Sequence, residues 1–154
     1  MEISDKLFKT AVYEQCFHAI QSRITNAEQA LQQAREASQD DTKSSAGDKY
    51  ETTREMMQQD IDRNEVQLFE AKRNLFQLEQ CRDAEINGQI KAGSIVKTSK
   101  ALLYFAVGIG QLVVGNHKVF AISPASPIGQ VLLGKSKGNT FVFNSIIQKI
   151  EEVY

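Results

Sequence analysis

QDDTKSSAGDKYE, residues 39–51, interrupts a sequence that otherwise favours helix, and does so with three aspartates, two serines and a glycine. Such residues suit turns and helix caps. Upstream, Tyr13, Phe17, Ile20, Ile24, Ala27, Leu31 and Ala34 recur in alternating steps of four and three. Downstream, Met57, Ile61, Asn64, Leu68, Ala71, Leu75 and Leu78 repeat the pattern. A spacing that averages about 3.5 residues keeps one stripe facing a partner helix. Gln, Glu, Lys, Arg and Asn fill most positions between, and neither Gly nor Pro occurs before residue 47. The interruption therefore reads as the connection of an antiparallel coiled-coil hairpin. Folding about residues 43 and 44 sets Leu31 opposite Met57, Ile20 opposite Leu68 and Tyr13 opposite Leu75. Each arm of about 35 residues spans roughly 50 Å. Asn64 at a seam position is expected to help fix register. Ser45 or Asp48 is expected to cap the second helix, with Glu51 completing a loose capping box.

Beyond the hairpin, assigned to residues 1–86 with its tip at about 39–49, the texture changes. Gly88 and Gly93 break helical periodicity. Short β-rich runs follow at 94–97, 101–107, 111–114 and 118–123. Gly115–Asn116 suits a two-residue hairpin turn. Ser126, Pro127 and Gly134 frame a short helix as N-cap, first residue and terminator. TFVFN reads as a strand, whereas SIIQKIEEVY fits helix or strand by periodicity. The fold class is α+β: a long helical hairpin, then a small domain over 87–154.

The chain has 154 residues, 42% hydrophobic and 24% charged, with net charge −1. Interspersed charge gives no independent grip on DNA or RNA, which needs clustered Lys and Arg. No apolar run approaches the ~20 residues that span a bilayer, and the opening MEISDKLFKTAVYEQ lacks a signal-peptide core. Cys16 and Cys81 carry no zinc or redox spacing, which predicts buried thiols in a reducing cytoplasm. His18 is expected on a helix surface and His117 beside a turn. Gly108 and Gly110 lack the context of a phosphate loop and read as a strand irregularity.

The segment VFAISPASPIGQVLLGKSKGNTFVFN, residues 119–144, resembles the C-terminal domain of the bacterial Gre transcript-cleavage factors. Ile122, Ser123, Ser126, Pro127, Ile128, Leu132, Leu133, Gly134, Lys135, Gly138 and Asn139 carry that likeness. It covers about the last 35 residues in sequence and the whole chain in architecture, because such factors also begin with a coiled-coil hairpin. The resemblance implies an FKBP-like domain whose final segment is a strand. It implies docking of that domain at the rim of the secondary channel of RNA polymerase, with the hairpin inserted into the channel. Acidic tip residues would then help hold a second Mg²⁺ and its water, so that the polymerase cleaves its own backtracked RNA. Mg²⁺ takes only one or two protein carboxylates, and paired metals clamp both oxygens of an in-line displacement.

The usual Gre tip reads Gly-Asp-x-x-Glu-Asn-x-x-Tyr. Aligned on Tyr50, this chain has Lys43 in place of the Asp and Ala46 in place of the Glu. Acids are present nearby at Asp40, Asp41 and Asp48. The segment ahead of ISPASPIG is also shorter than is usual in the family.

The expectations that follow are these. Asp41 and Asp48 assist catalysis and touch the polymerase Mg²⁺, with Asp40, Tyr50 and Glu51 as tip support. Ser123, Ser126, Pro127 and Lys135 serve docking. The protein is a cytoplasmic monomer, no enzyme itself, with no cofactor of its own, no membrane contact and only indirect contact with nascent RNA. Three alternatives stand beside this. The tip acids serve only as cap and turn, and Ser126 and Pro127 only as a helix start. The protein occupies the channel without stimulating cleavage. Or the coiled coil is an interaction module unrelated to polymerase. Isomerase chemistry is disfavoured, because a fold does not give function and the aromatics stand at core-like strand positions.

Overall fold

A computed structural model describes residues 2–4, 6–41 and 48–154, with side chains throughout except at 40, 41 and 48–50. Two helices, α1 (Lys6–Asp41) and α2 (Asp48–Glu79), come first. They are followed by β1 (Ser94–Thr98), β2 (Leu102–Phe105), β3 (Gly110–Val114) and β4 (His117–Ile122). A short helix α3 (Pro127–Leu132) and the strands β5 (Thr140–Phe143) and β6 (Ile146–Val153) complete the chain. α2 closes at Glu79, ahead of the Gly88 that the sequence offered as a stop. The final segment, undecided by periodicity, is a strand. Packing divides the chain into two units, Ile20–Arg73, and Met1–Ala19 together with Asn74–Tyr154. The unit holding the sheet thus includes residues of both helices.

Within Ile20–Arg73 the heptad stripe is the buried stripe. Ile20, Ile24, Ala27 and Leu31 of α1 are buried, as is Ala71 of α2, while Met57, Ile61, Asn64 and Leu68 are half-buried. Register is where the expectation fails. Arg35 Nη2 donates to Glu65 Oε1 at 3.1 Å. Folding about residues 43 and 44 would separate those two by about twelve residues along α2, roughly 18 Å. In the sheet unit, Tyr13 shares a cleft with Glu79 and Arg82, beyond its expected partner Leu75. A heptad repeat leaves register open, because sliding one helix by about seven residues again sets apolar against apolar.

The sheet has six strands in the order β3-β4-β2-β1-β6-β5, all neighbours antiparallel except β2 and β4. β2, LLYF, is buried at every position because the sheet is covered on both faces there. On one face Val96, Leu103, Phe105, Phe141 and Ile150 pack with Ile90 and with Leu132 of α3. Tyr104 points the other way, pairing across strands with Ile95 and Ala121. Phe8, Val12 and Cys16 of α1 and Leu78 of α2 are also buried. The Phe8 ring meets His117 edge-on at 5.4 Å, and Gln15 Nε2 donates to Val113 O of β3 at 2.8 Å. Burying each large aliphatic side chain contributes about 1.5–3 kcal/mol.

Two tight turns close hairpins. Gly115 and Asn116 join β3 to β4 as expected, with Gly115 at φ 60°. Asn144 and Ser145 join β5 to β6 with φ of 51° and 64°. A type I′ turn, the form taken by Asn144 and Ser145, demands positive φ at both positions, and serine tolerates it poorly. Ser145→Gly is therefore expected to stabilise the protein by about 0.5–1 kcal/mol. The check is the urea midpoint, and an unchanged or lower midpoint would refute the turn assignment.

Candidate functional site

The helix ends place the acidic candidates by backbone alone. Asp40 and Asp41 are the last two residues of α1, and Asp48 is the first of α2. Tyr50 lies in the first turn of α2. The side chains of Asp40, Asp41, Asp48 and Tyr50, and the whole of residues 42–47, including Lys43, Ser45 and Ala46, lie outside the described residues. Glu51 is exposed on α2. Among the described residues, no group of three or more His, Cys, Asp and Glu side chains could hold a metal ion.

The docking candidates gather around α3. Ser126 is its N-cap: the hydroxyl oxygen accepts from Gly129 N at 3.1 Å and donates to Ser123 O at 2.6 Å. Ser123 Oγ in turn accepts from Ala125 N at 3.1 Å. Both hydroxyls are thus engaged in shaping the turn. Pro127 occupies the first helical position, where a missing N–H costs nothing. Gly129 is buried against the backbone of Ser123 and Pro124. Lys135 is half-buried, and its main chain is fixed by Lys135 N donating to Leu132 O and Ile90 N donating to Lys135 O.

The surface that α3 offers to solvent is made by Pro127, Gln130 and Leu133. Leu133, 58% exposed, was not singled out as a contact residue by the sequence. Its only signal was the doublet Leu132–Leu133, in which a helix this short can bury just one. Ser126→Ala is expected to cost about 1 kcal/mol, the usual value of a lost N-cap. Urea denaturation followed by circular dichroism reads this, and a loss below about 0.3 kcal/mol would show the cap to be dispensable.

A second concavity lies in the sheet unit, a cleft of about 730 Å³ lined in part by Lys9, Tyr13, Cys81, Arg82, Tyr104 and Tyr154. Burial sets its chemistry. It holds the Lys9 ammonium below its ordinary value and raises the Tyr13 hydroxyl and the Cys81 thiol. Tyr104 is pushed up likewise, and Cys16 rises to about 12. Lys9 Nζ donates to Tyr154 O at 3.5 Å. Both cysteines are unbridged and buried, the state expected of them. Protonated thiols are poor nucleophiles and poor metal ligands, so the Cys81 thiol at this cleft is not an activated one. His18 is on the surface, 3.9 Å from Glu14. No described helix is long and apolar enough to cross a membrane.

No family model matches the chain, and no curated protein matches it.

Proposed function

We propose that the chain is a regulator of bacterial RNA polymerase, related to the Gre factors. In this reading α1 and α2 form a coiled-coil hairpin that enters the secondary channel. The sheet and α3 form an FKBP-like domain that docks at the channel rim, with Pro127 and Lys135 in the contact and Ser123 and Ser126 shaping it. The observation that carries the reading is the placement of acids at adjoining helix ends: Asp40 and Asp41 close a 36-residue helix and Asp48 opens one of 32 residues. Carboxylates at the ends of two long helices suit delivery of a ligand to a buried metal. Mg²⁺ retains several waters and accepts one or two protein carboxylates, which Asp41 and Asp48 would supply beside the polymerase's own. The chain is then no enzyme; it acts in the cytoplasm, one copy per polymerase, and meets RNA only through its partner.

The test uses stalled, backtracked elongation complexes with Mg²⁺. Short 3′ RNA fragments are followed with the protein, with the Asp41→Ala, Asp48→Ala double variant, and with no factor. Release at least tenfold above background, abolished by the double variant, is the expected result. Absence of release together with competition against a genuine Gre factor would make the protein a channel occupant that does not stimulate cleavage. Neither release nor competition would end the polymerase reading.

One observation favours a second reading, an interaction module that binds another helix. Met56, Val66 and Phe69 on α2 are each more than half exposed. Val66 and Phe69, three residues apart, fall on one side of that helix, as a contact surface would.

A further inference from the structure

The cleft of about 730 Å³ in the sheet unit takes no part in the function proposed above. Its volume is that of a small-molecule site, and such sites are mostly apolar with a few polar groups converging on the ligand. Two such groups stand here. Tyr104 of β2 lines the cleft and is 1% exposed. Its hydroxyl makes no hydrogen bond to a described residue. Yet every fully buried side-chain polar atom among the described residues has a partner. The small part of Tyr104 that solvent reaches is therefore its hydroxyl, at the floor of the cleft. A phenol oxygen at the end of a buried ring needs a partner, and here only the cleft can supply one.

Lys9 of α1 is the second group, half-buried on the same cleft. An ammonium carries three donors. This one makes a single long bond, to Tyr154 O at 3.5 Å, and that oxygen already accepts from Ile95 N at 2.9 Å. No carboxylate side chain among the described residues pairs with Lys9. Burial holds the amine below its ordinary value, and an anion set beside it would favour the charged form again. Tyr13, 7% exposed, stands on the same lining.

We propose that this cleft binds a small organic monocarboxylate with an apolar body, its carboxylate held by Lys9 Nζ and the Tyr104 hydroxyl. An ionised carboxylate only accepts hydrogen bonds, and both of these groups donate. Charge limits the ligand to a single negative group. The exposed margin carries Lys6 and Arg82 against Glu14, Asp83 and Glu85, two cations and three acids, so it disfavours a dianion. Lys9 alone supplies positive charge further in, enough to match one carboxylate. Ile3, Ala84 and Ile86, half-buried beside the tyrosine rings, offer apolar surface to the rest of the molecule.

Two donors and a modest apolar contact in an open cleft correspond to a Kd of about 0.1–1 mM. Every residue named lies within the sheet unit, so the site does not depend on the polymerase reading.

The experiment is a titration of the full chain with hydrocinnamate, a phenyl ring on a short carboxylate chain, to about 10 mM, followed by amide-resolved NMR. Shifts should saturate and centre on Lys9, Tyr13, Cys81 and Tyr104. The neutral amide of the same acid should bind at least about tenfold more weakly. Lys9→Met keeps the stem and removes the charge, and should weaken hydrocinnamate by at least about tenfold. Tyr104→Phe should weaken it by about three- to tenfold. Because that hydroxyl has no partner in the protein, Tyr104→Phe should leave the melting temperature undiminished, which separates a binding role from a structural one. Three results would overturn the proposal: no saturable shift at the cleft, equal binding of acid and amide, or tighter binding of inorganic phosphate at these residues.

Discussion

Gly129→Ala should destabilise the protein by about 3 kcal/mol or more, although alanine is the better helix former by about 1 kcal/mol. Propensity and packing thus predict opposite signs, and the distances decide between them. A β-carbon at Gly129 would stand 2.2 Å from Ser123 O and 2.8 Å from Pro124 O. Both are main-chain atoms, and neither can rotate aside. Ser123 O is held besides by Ser126 N at 3.0 Å and Ser126 Oγ at 2.6 Å. Moving it would undo the cap of α3, which seats Leu132 in the core with Phe105, Phe141 and Ile150. For a chain of this size such a loss lowers the melting temperature by roughly 6–12 °C. Urea denaturation of the single variant is sufficient, and a midpoint equal to or above that of the parent would mean that the Ser123–Gly129 approach is wrong.

The second large effect is alkaline. Cys16 is buried among apolar groups beside Cys81, and its thiol is pushed up to about 12 from an ordinary value of 9.0. Cys81, Tyr13 and Tyr104 are displaced upward too, each chiefly by burial. Each group has a folded pKa above its unfolded one. Its stabilising contribution is therefore complete below the unfolded value and is lost as pH rises toward the folded value. Stability should hold to about pH 8 and then fall, Cys16 alone costing up to about 1.4 kcal/mol per pH unit above about 9. By pH 10.5 that one thiol accounts for roughly 2 kcal/mol. Lys9, lowered chiefly by burial, works in the opposite sense near its own ordinary value and offsets part of the loss. The measurement is urea stability at half-unit steps from pH 7 to 11. Cys16→Ala creates a cavity and lowers the whole curve, so its slope above pH 9 is the informative quantity. That slope should be shallower than the parent's; equal slopes would show that the thiol does not carry the effect.

How much of this was legible in the sequence depends on whether the information is local. The stripe Ile20, Ile24, Ala27, Leu31 was readable because period alone marks a buried face. The register of α1 on α2 was not, because a repeat matches itself after every heptad; contacts distant in sequence, such as the Arg35–Glu65 pair 30 residues apart, are what reveal it. The cap at Ser126 and the Gly115–Asn116 turn could be read because their side chains act within a few residues. The Asn144–Ser145 turn lacks the glycine that advertises such a conformation. β6 was ambiguous because Ile146, Ile147, Ile150 and Val153 also suit a helix; pairing with β1 and β5 decides the matter. Among the site candidates, hydroxyl type at Ser123 and Ser126 was visible. That these hydroxyls are engaged within the α3 turn depends on backbone geometry.

β6, the last strand in chain order, sits inside the sheet between β1 and β5. The pairing Val96↔Val153 therefore closes a loop of more than fifty residues. Until it closes, β1 has an open side and the β5–β6 hairpin is unsupported. Closing long loops is slow, since the entropy is lost before the contacts are gained. A nascent chain would thus carry its helices and the β1–β4 strands for some time with β1 as an unfinished edge. Docking of the β5–β6 hairpin on that edge adds the last two strands of the sheet together.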